Sequence, residues 1–172
     1  MSTQLKVVDE CREISDFLEA VELFKQISDH KNFVGEISTH MIIRNYKKGE
    51  AIFEEGQKAE NLYILQQGEV FVQKSNPEGD VYNVIILSGA NKPAIGEGGL
   101  IEASARSATV RCKTDCSFLI LSRIEFEKFC DEHPKWGIEI YRSIFKLMIA
   151  RLRKMNTDLM LLHKALTNEI RG

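Results

Sequence analysis

The run Gly96-Glu97-Gly98-Gly99-Leu100-Ile101-Glu102-Ala103-Ser104-Ala105-Arg106-Ser107-Ala108-Thr109-Val110 sets a carboxylate and a guanidinium around a glycine-rich turn. Those residue types at that spacing suit an anion that also carries hydroxyl groups. Residues Glu97 to Leu100 can open a short helix whose free N–H groups attract negative charge, and Gly98 and Gly99 let a ligand approach the backbone closely. Arg106 offers a planar fork for two oxygens of one phosphate, while Glu97 can accept hydrogen bonds from a sugar hydroxyl of the same molecule. A sugar phosphate meets both demands. Stripped of its surroundings, the same pair reads as a structural ion pair on a turn.

The elements that must hold these residues are mostly short strands. Residues 13 to 28 place Ile14, Phe17, Leu18, Val21, Leu23, Phe24 and Ile27 largely on one face, which predicts an amphipathic helix packed against the body as a lid or brace. From His40 to Leu121 the pattern changes to β-rich runs: Met41–Ile43, Ala51–Phe53, Leu62–Leu65, Val70–Val72, Val84–Leu87, Ala108–Val110 and Phe118–Leu121. Turn residues separate them at Lys48-Gly49, Glu55-Gly56, Gln67-Gly68, Asn76-Pro77-Glu78-Gly79-Asp80 and Ser88-Gly89, which argues for an antiparallel sandwich or jelly roll.

The sheet ends where Ser122-Arg123-Ile124-Glu125 spells a capping box, opening a short helix to about Asp131. Pro134 then suits the first turn of another, longer helix. Along it Ile138, Tyr141, Phe145, Met148, Leu152, Met155, Leu159, Leu162 and Leu166 follow in steps of three and four, a heptad seam. Ile140, Ile144, Leu147 and Ile149 widen the stripe in its first half, where it reads equally as core. Beyond Arg151 it narrows, and no second helix of comparable length is predicted to cover it, so a second copy of the chain is the expected partner. Three segments result: a helical segment over 1–36, a β-roll with its short hinge helix over 37–134, and the long dimerisation helix over 135–172.

Composition is that of a globular chain of 172 residues, 44% hydrophobic and 28% charged, long enough to bury a core without disulfides or metal. The net charge of -2 gives no general attraction to nucleic acid. Residues 135 to 172 nevertheless hold eight basic side chains against three acidic ones, leaving 15 basic and 22 acidic upstream. This excess reads as a solvated helix face complementing an acidic roll. No apolar run spans a bilayer and Met1–Lys6 lacks a signal-peptide core, so a cytoplasmic protein is expected. Cys11, Cys112, Cys116 and Cys130 lack a framework spacing and read as free thiols. His30, His40, His133 and His163 are scattered, which counts against a metal-dependent cupin-type enzyme; no metal, cofactor or catalytic constellation is expected.

The stretch from Gly96 to Val110 resembles the phosphate-binding cassette of cyclic-nucleotide-binding domains, with its Gly-Glu, apolar pair and Arg-Ser-Ala-Thr-Val. Tyr46-Lys47-Lys48-Gly49-Glu50, Ile52-Phe53, Glu55-Gly56, Leu62-Tyr63-Ile64 and Gly68-Glu69-Val70 resemble the first half of that domain, so the likeness covers about residues 40 to 130. It implies a double-stranded β-helix (jelly roll) that binds a cyclic nucleotide and carries no catalytic residues. Arg106 would take the exocyclic phosphate oxygens, Glu97 the ribose 2′-hydroxyl, and the amides of Gly98 and Gly99, after the Gly96 turn, would finish the anion site. Ser107 would add a hydroxyl. Met155, Asn156 and Thr157 of the long helix would touch the base, from one or both subunits. Cyclic AMP is preferred here to cyclic GMP, although a serine after the arginine occurs with either.

Two departures from the family pattern stand out. Asn91-Lys92-Pro93-Ala94-Ile95 replaces the usual Gly-Asp turn, and Gly98 replaces an apolar side chain; both leave open an empty docking module on the same scaffold. The bacterial transcription activators of this family dimerise through such a long helix, but the chain ends at Gly172 without a helix-turn-helix, so direct DNA binding is not expected. A stand-alone dimeric sensor acting on a downstream protein is the expectation.

Overall fold

Alternating apolar residues build two four-stranded antiparallel sheets in the computed structural model, which describes residues 13–76 and 78–171, with side chains through Asn168. The readings of Met1–Lys6, Cys11 and Pro77 lie outside these residues. The strands are β1 (Met41–Tyr46), β2 (Ala51–Phe53), β3 (Asn61–Gln67), β4 (Glu69–Ser75), β5 (Val81–Ser88), β6 (Ala94–Ile95), β7 (Thr109–Cys112) and β8 (Cys116–Ser122). One sheet runs β1-β8-β3-β6 and the other β2-β7-β4-β5. This is the jelly roll expected, although β6, two residues long, gives no periodic signal and was not anticipated.

Successive side chains of a strand point to opposite faces, and the middle strands β3 and β8 of the first sheet are covered on both, whereas β1 at its edge is largely exposed. Tyr63, Leu65, Phe118 and Ile120 turn into the roll, where they meet Ile52, Phe53, Val70 and Val110 of the second sheet. Leu62, Ile64, Leu119 and Leu121 turn the other way and meet the helices through Phe24, Phe33, Phe126, Phe129, Ile140 and Ile144. Double coverage explains why β3 and β8 read as unbroken apolar runs. Cys112 and Cys116 lie in the roll's core as free thiols; burial, followed by the neighbouring Cys116, pushes the Cys112 thiol up to about 12.

The helices are α1 (13–18), α2 (His30–Ser38), α3 (Gly98–Ile101), α4 (Arg123–Glu132) and α5 (Pro134–Arg171). The single helix predicted over 13–28 is therefore corrected: past residue 18 the chain makes a chain of tighter turns. Val21, Phe24 and Ile27 each donate their N–H to the carbonyl three residues back, at 3.0, 2.9 and 3.1 Å. Leu18, Val21, Phe24 and Ile27 recur every three residues and are all buried, a period that fits three residues per turn better than 3.6. Helix α2, with Phe33, Val34 and Ile37 inward, was not foreseen.

Ser122 caps α4 as expected, its hydroxyl accepting from Glu125 N–H at 3.2 Å. The other half of the box is not made, because the Glu125 carboxylate turns to His40 Nδ1 at 2.9 Å. Helix α5 follows after His133 and is seated at its start: Ser28 donates both its N–H and its hydroxyl to Glu139, at 2.6 and 2.7 Å, and Trp136 Nε1 donates to Ser28 O at 3.1 Å. Ile140 and Ile144 are buried, but from Met148 to Leu166 every residue is exposed. No helix among the described residues is long and apolar enough to cross a membrane.

Candidate functional site

The cassette begins where β6 ends. Ile95 pairs with Tyr63 of β3, and the chain turns through Gly96 with a φ of 77°, which a side chain would strain. A Cβ there would stand 2.2 Å from Arg106 Nη1, so glycine alone lets that guanidinium close on the turn. Asn91–Ile95, the departure from the family's Gly-Asp, makes a 3₁₀ turn over Gly89–Asn91, a left-handed Lys92 and then β6.

Glu97 precedes α3, whose four residues are those expected within one position. Gly99 presses against the start of β3, where an added Cβ would meet Ala59 at 3.2 Å, whereas Gly98 faces open space. The Gly99 N–H is already spent on Gly96 O at 3.0 Å. Gly98 N–H donates to no backbone carbonyl among the described residues, so it is the freer of the two amides.

Arg106 arrives from the opposite side of the site. Its N–H donates to Gln57 O at 2.7 Å and its carbonyl accepts from Gly56 N–H at 2.9 Å, so the loop between β2 and β3 fixes its backbone. The side chain, 6% exposed, lies between the sheets. Nη1 donates to Gly96 O at 3.2 Å and Nη2 to Asn61 O at 2.8 Å. Its Cζ stands 4.1 Å above the Phe53 ring and 5.6 Å from that of Tyr63. Nε is buried without a partner among the described residues. Burial lowers the guanidinium's pKa, against the opposing influence of Tyr63 and Glu97, but an arginine stays cationic regardless. The result is a desolvated positive charge with one nitrogen, Nε, wholly without a partner.

Glu97 is buried too, yet its carboxylate does not pair with Arg106. Arg151 Nη1, from the exposed part of α5, donates to it and fastens the long helix to the cassette. Ser107 is exposed beside the site. Asn156 and Thr157 are exposed on α5, where the Thr157 hydroxyl donates to Arg153 O at 3.1 Å. No hydrogen bond or ion pair among the described residues joins either to the cassette. Gly96, Glu97, Gly98, Gly99 and Arg106 are thus brought together, Ser107 sits exposed at their edge, and Asn156 and Thr157 make no polar contact with them.

Sequence reasoning missed Arg151, one of eight basic residues on a helix read as solvated, and it missed the partnership of Phe53, Tyr63 and Asn61 with Arg106. The only signal for Arg151 is its place where the apolar stripe narrows. Phe53 and Tyr63 are indistinguishable from core residues until the two sheets are stacked.

Comparison with known proteins identifies the family. The family model for the cyclic nucleotide-binding domain matches residues 43–133, more than half of the chain. The HTH-type transcriptional regulator ArcR of Staphylococcus epidermidis is 25% identical over 131 residues, covering 74% of this chain and 54% of that protein. The cAMP-activated global transcriptional regulator CRP of Salmonella typhimurium is 36% identical over 98 residues, 56% of this chain and 45% of that one. The chain therefore spans about half the length of the curated relatives it matches. Among solved structures, a cyclic nucleotide-binding domain from Methylobacillus flagellatus superposes with a TM-score of 0.70 at 23% identity, over 80% of this chain and 79% of that one. With a jelly roll of matching topology and a family match across it, the chain belongs to the cyclic nucleotide-binding domain family.

Proposed function

We propose that this chain is a cyclic-nucleotide sensor, with cyclic AMP favoured over cyclic GMP, in which α5 carries ligand occupancy to a downstream protein. The observation that supports this reading above others is the buried guanidinium of Arg106 with Nε unpartnered, set beside the free Gly98 amide and a buried carboxylate. A ring phosphate would satisfy that donor. The ribose hydroxyl would go to Glu97, in competition with Arg151, and this exchange is how a ligand would reach the helix. Residues 13–36 then serve as brace, 37–134 as sensor and the helix from 135 onward as transmitter, with hinge motion between 122 and 137. Met155, Asn156 and Thr157 reach the base only when α5 closes or a second copy supplies them. The exposed seam from Phe145 to Leu166 suits that second copy.

Replacing Arg106 by alanine leaves the phosphate buried and unpaired, a loss of several kcal/mol of binding, by the order of magnitude for buried charged groups (~2–3 kcal/mol or more). Calorimetry with cyclic AMP and cyclic GMP should show wild-type binding and its loss in Arg106→Ala; equal affinities would overturn the assignment. One observation favours a second reading, a ligand-free docking module. Arg106 and Glu97 already have protein partners in Gly96 O, Asn61 O and Arg151. Absence of any thermal stabilisation by saturating nucleotide would select it.

A further inference from the structure

We propose that Phe53 and Tyr63 are positioning residues for ligand binding, holding the Arg106 guanidinium in a fixed plane so that Nε–H is presented to the ligand's phosphate. This deepens the nucleotide reading above and rests on it. A guanidinium buried in a roll ordinarily needs a carboxylate, and the one nearby, Glu97, is engaged with Arg151. What stands beside the guanidinium is a pair of touching aromatic rings. Phe53 comes from β2 and Tyr63 from β3, which belong to different sheets, so one ring is contributed from each side of the roll. Both are buried, at 8% and 7% exposure, and their centroids lie 5.5 Å apart.

Contact with the face of Phe53 would restrain the guanidinium plane, and the hydrogen bonds to the carbonyls of Gly96 and Asn61 would restrain its rotation within that plane. Nε is then the one guanidinium nitrogen that has no acceptor among the described residues. Asn61 links the two restraints, because its carbonyl accepts from Nη2 while its side-chain amide lies 3.5 Å from the Tyr63 hydroxyl. A leucine would fill the volume of Phe53 but offers no negative ring face to a cation.

The test uses the full chain and cyclic AMP as the probe, with calorimetry for affinity and thermal melting for stability. Phe53→Leu should weaken binding about five- to thirty-fold, which is what a desolvated cation–π contact of roughly 1–2 kcal/mol amounts to. Phe53→Tyr, which keeps the ring face, should restore most of it. In an Arg106→Lys background, whose ammonium keeps a charge over the ring but has no plane to orient, Phe53→Leu should have a distinctly smaller further effect. Tyr63→Leu carries the same comparison from the other sheet should Phe53→Leu fail to fold. The proposal is overturned if Phe53→Leu binds as wild type does, if Phe53→Tyr loses as much as Phe53→Leu, or if the loss is undiminished beside Arg106→Lys. Wild-type protein that binds neither cyclic nucleotide sinks the ligand reading instead, so the two failures are told apart.

Discussion

At Gly96 three demands meet in one residue: a positive φ, a carbonyl shared by Gly99 N–H and Arg106, and no room for a side chain. Gly96→Ala should therefore act twice. The strained backbone costs about 1–3 kcal/mol, seen as a lowered melting temperature, and the displaced guanidinium should weaken cyclic-nucleotide binding beyond what stability explains. A variant with wild-type melting and affinity would show that the turn relaxes freely. That Glu97 and Arg106 come to one place was legible in the sequence because they lie nine residues apart, although the carboxylate pairs with Arg151 instead. Arg151 was not, since it lies 54 residues from Glu97 and the contact depends on how α5 is seated. Nor was the use of Gly99 N–H within the turn, which follows from backbone angles that residue type alone does not fix.

Elements join this protein mainly through short polar clamps between apolar surfaces. Ser28 and Glu139 tie the tight turns after α1 to the base of α5, and the backbone N–H of Ser28, then its hydroxyl, hold the Glu139 carboxyl below its ordinary value of 4.5. A carboxylate depressed in the folded state contributes stability above its unfolded value, and that contribution is lost as pH falls through the folded one. The clamp should thus be intact near neutrality and weaken below about pH 4.5. Trp136, the single tryptophan, hydrogen-bonds the same Ser28 and gives the readout. Its emission should change over that acid range, and Glu139→Gln should flatten the transition; an unchanged profile in the variant would point to another group. Strand positions were readable from alternation and turn residues, but the capping box was read only half correctly. Glu125 turns instead to His40, 85 residues away, which no local motif foretells. The three-residue period of Leu18, Val21, Phe24 and Ile27 was present in the sequence and mistaken for an α-helical face.

For the molecule as a whole, the unresolved demand is the apolar seam of α5. Phe145, Leu152, Met155, Leu159, Leu162 and Leu166 are each more than half exposed in the single chain. Helices with such a seam pair when each a and d side chain fills a hole in a neighbour. On the proposed reading, light scattering should report a dimer, and Leu159→Glu should shift it to monomer with the roll still folded; a monomeric wild type would remove the seam from the account. Fold class was legible at this scale because binary pattern and turn spacing act over the whole roll. The docking of α5 was not, since an exposed stripe looks the same whether its neighbour is a sheet or another helix. One carboxylate links these matters. Glu97 is the anchor for the long helix through Arg151 and, on the proposed reading, the acceptor for the sugar, so assembly and occupancy draw on a single group. Linkage then runs both ways by the same factor, and diluting the protein until copies separate should change its apparent appetite for nucleotide, although no atom of the cassette has been altered.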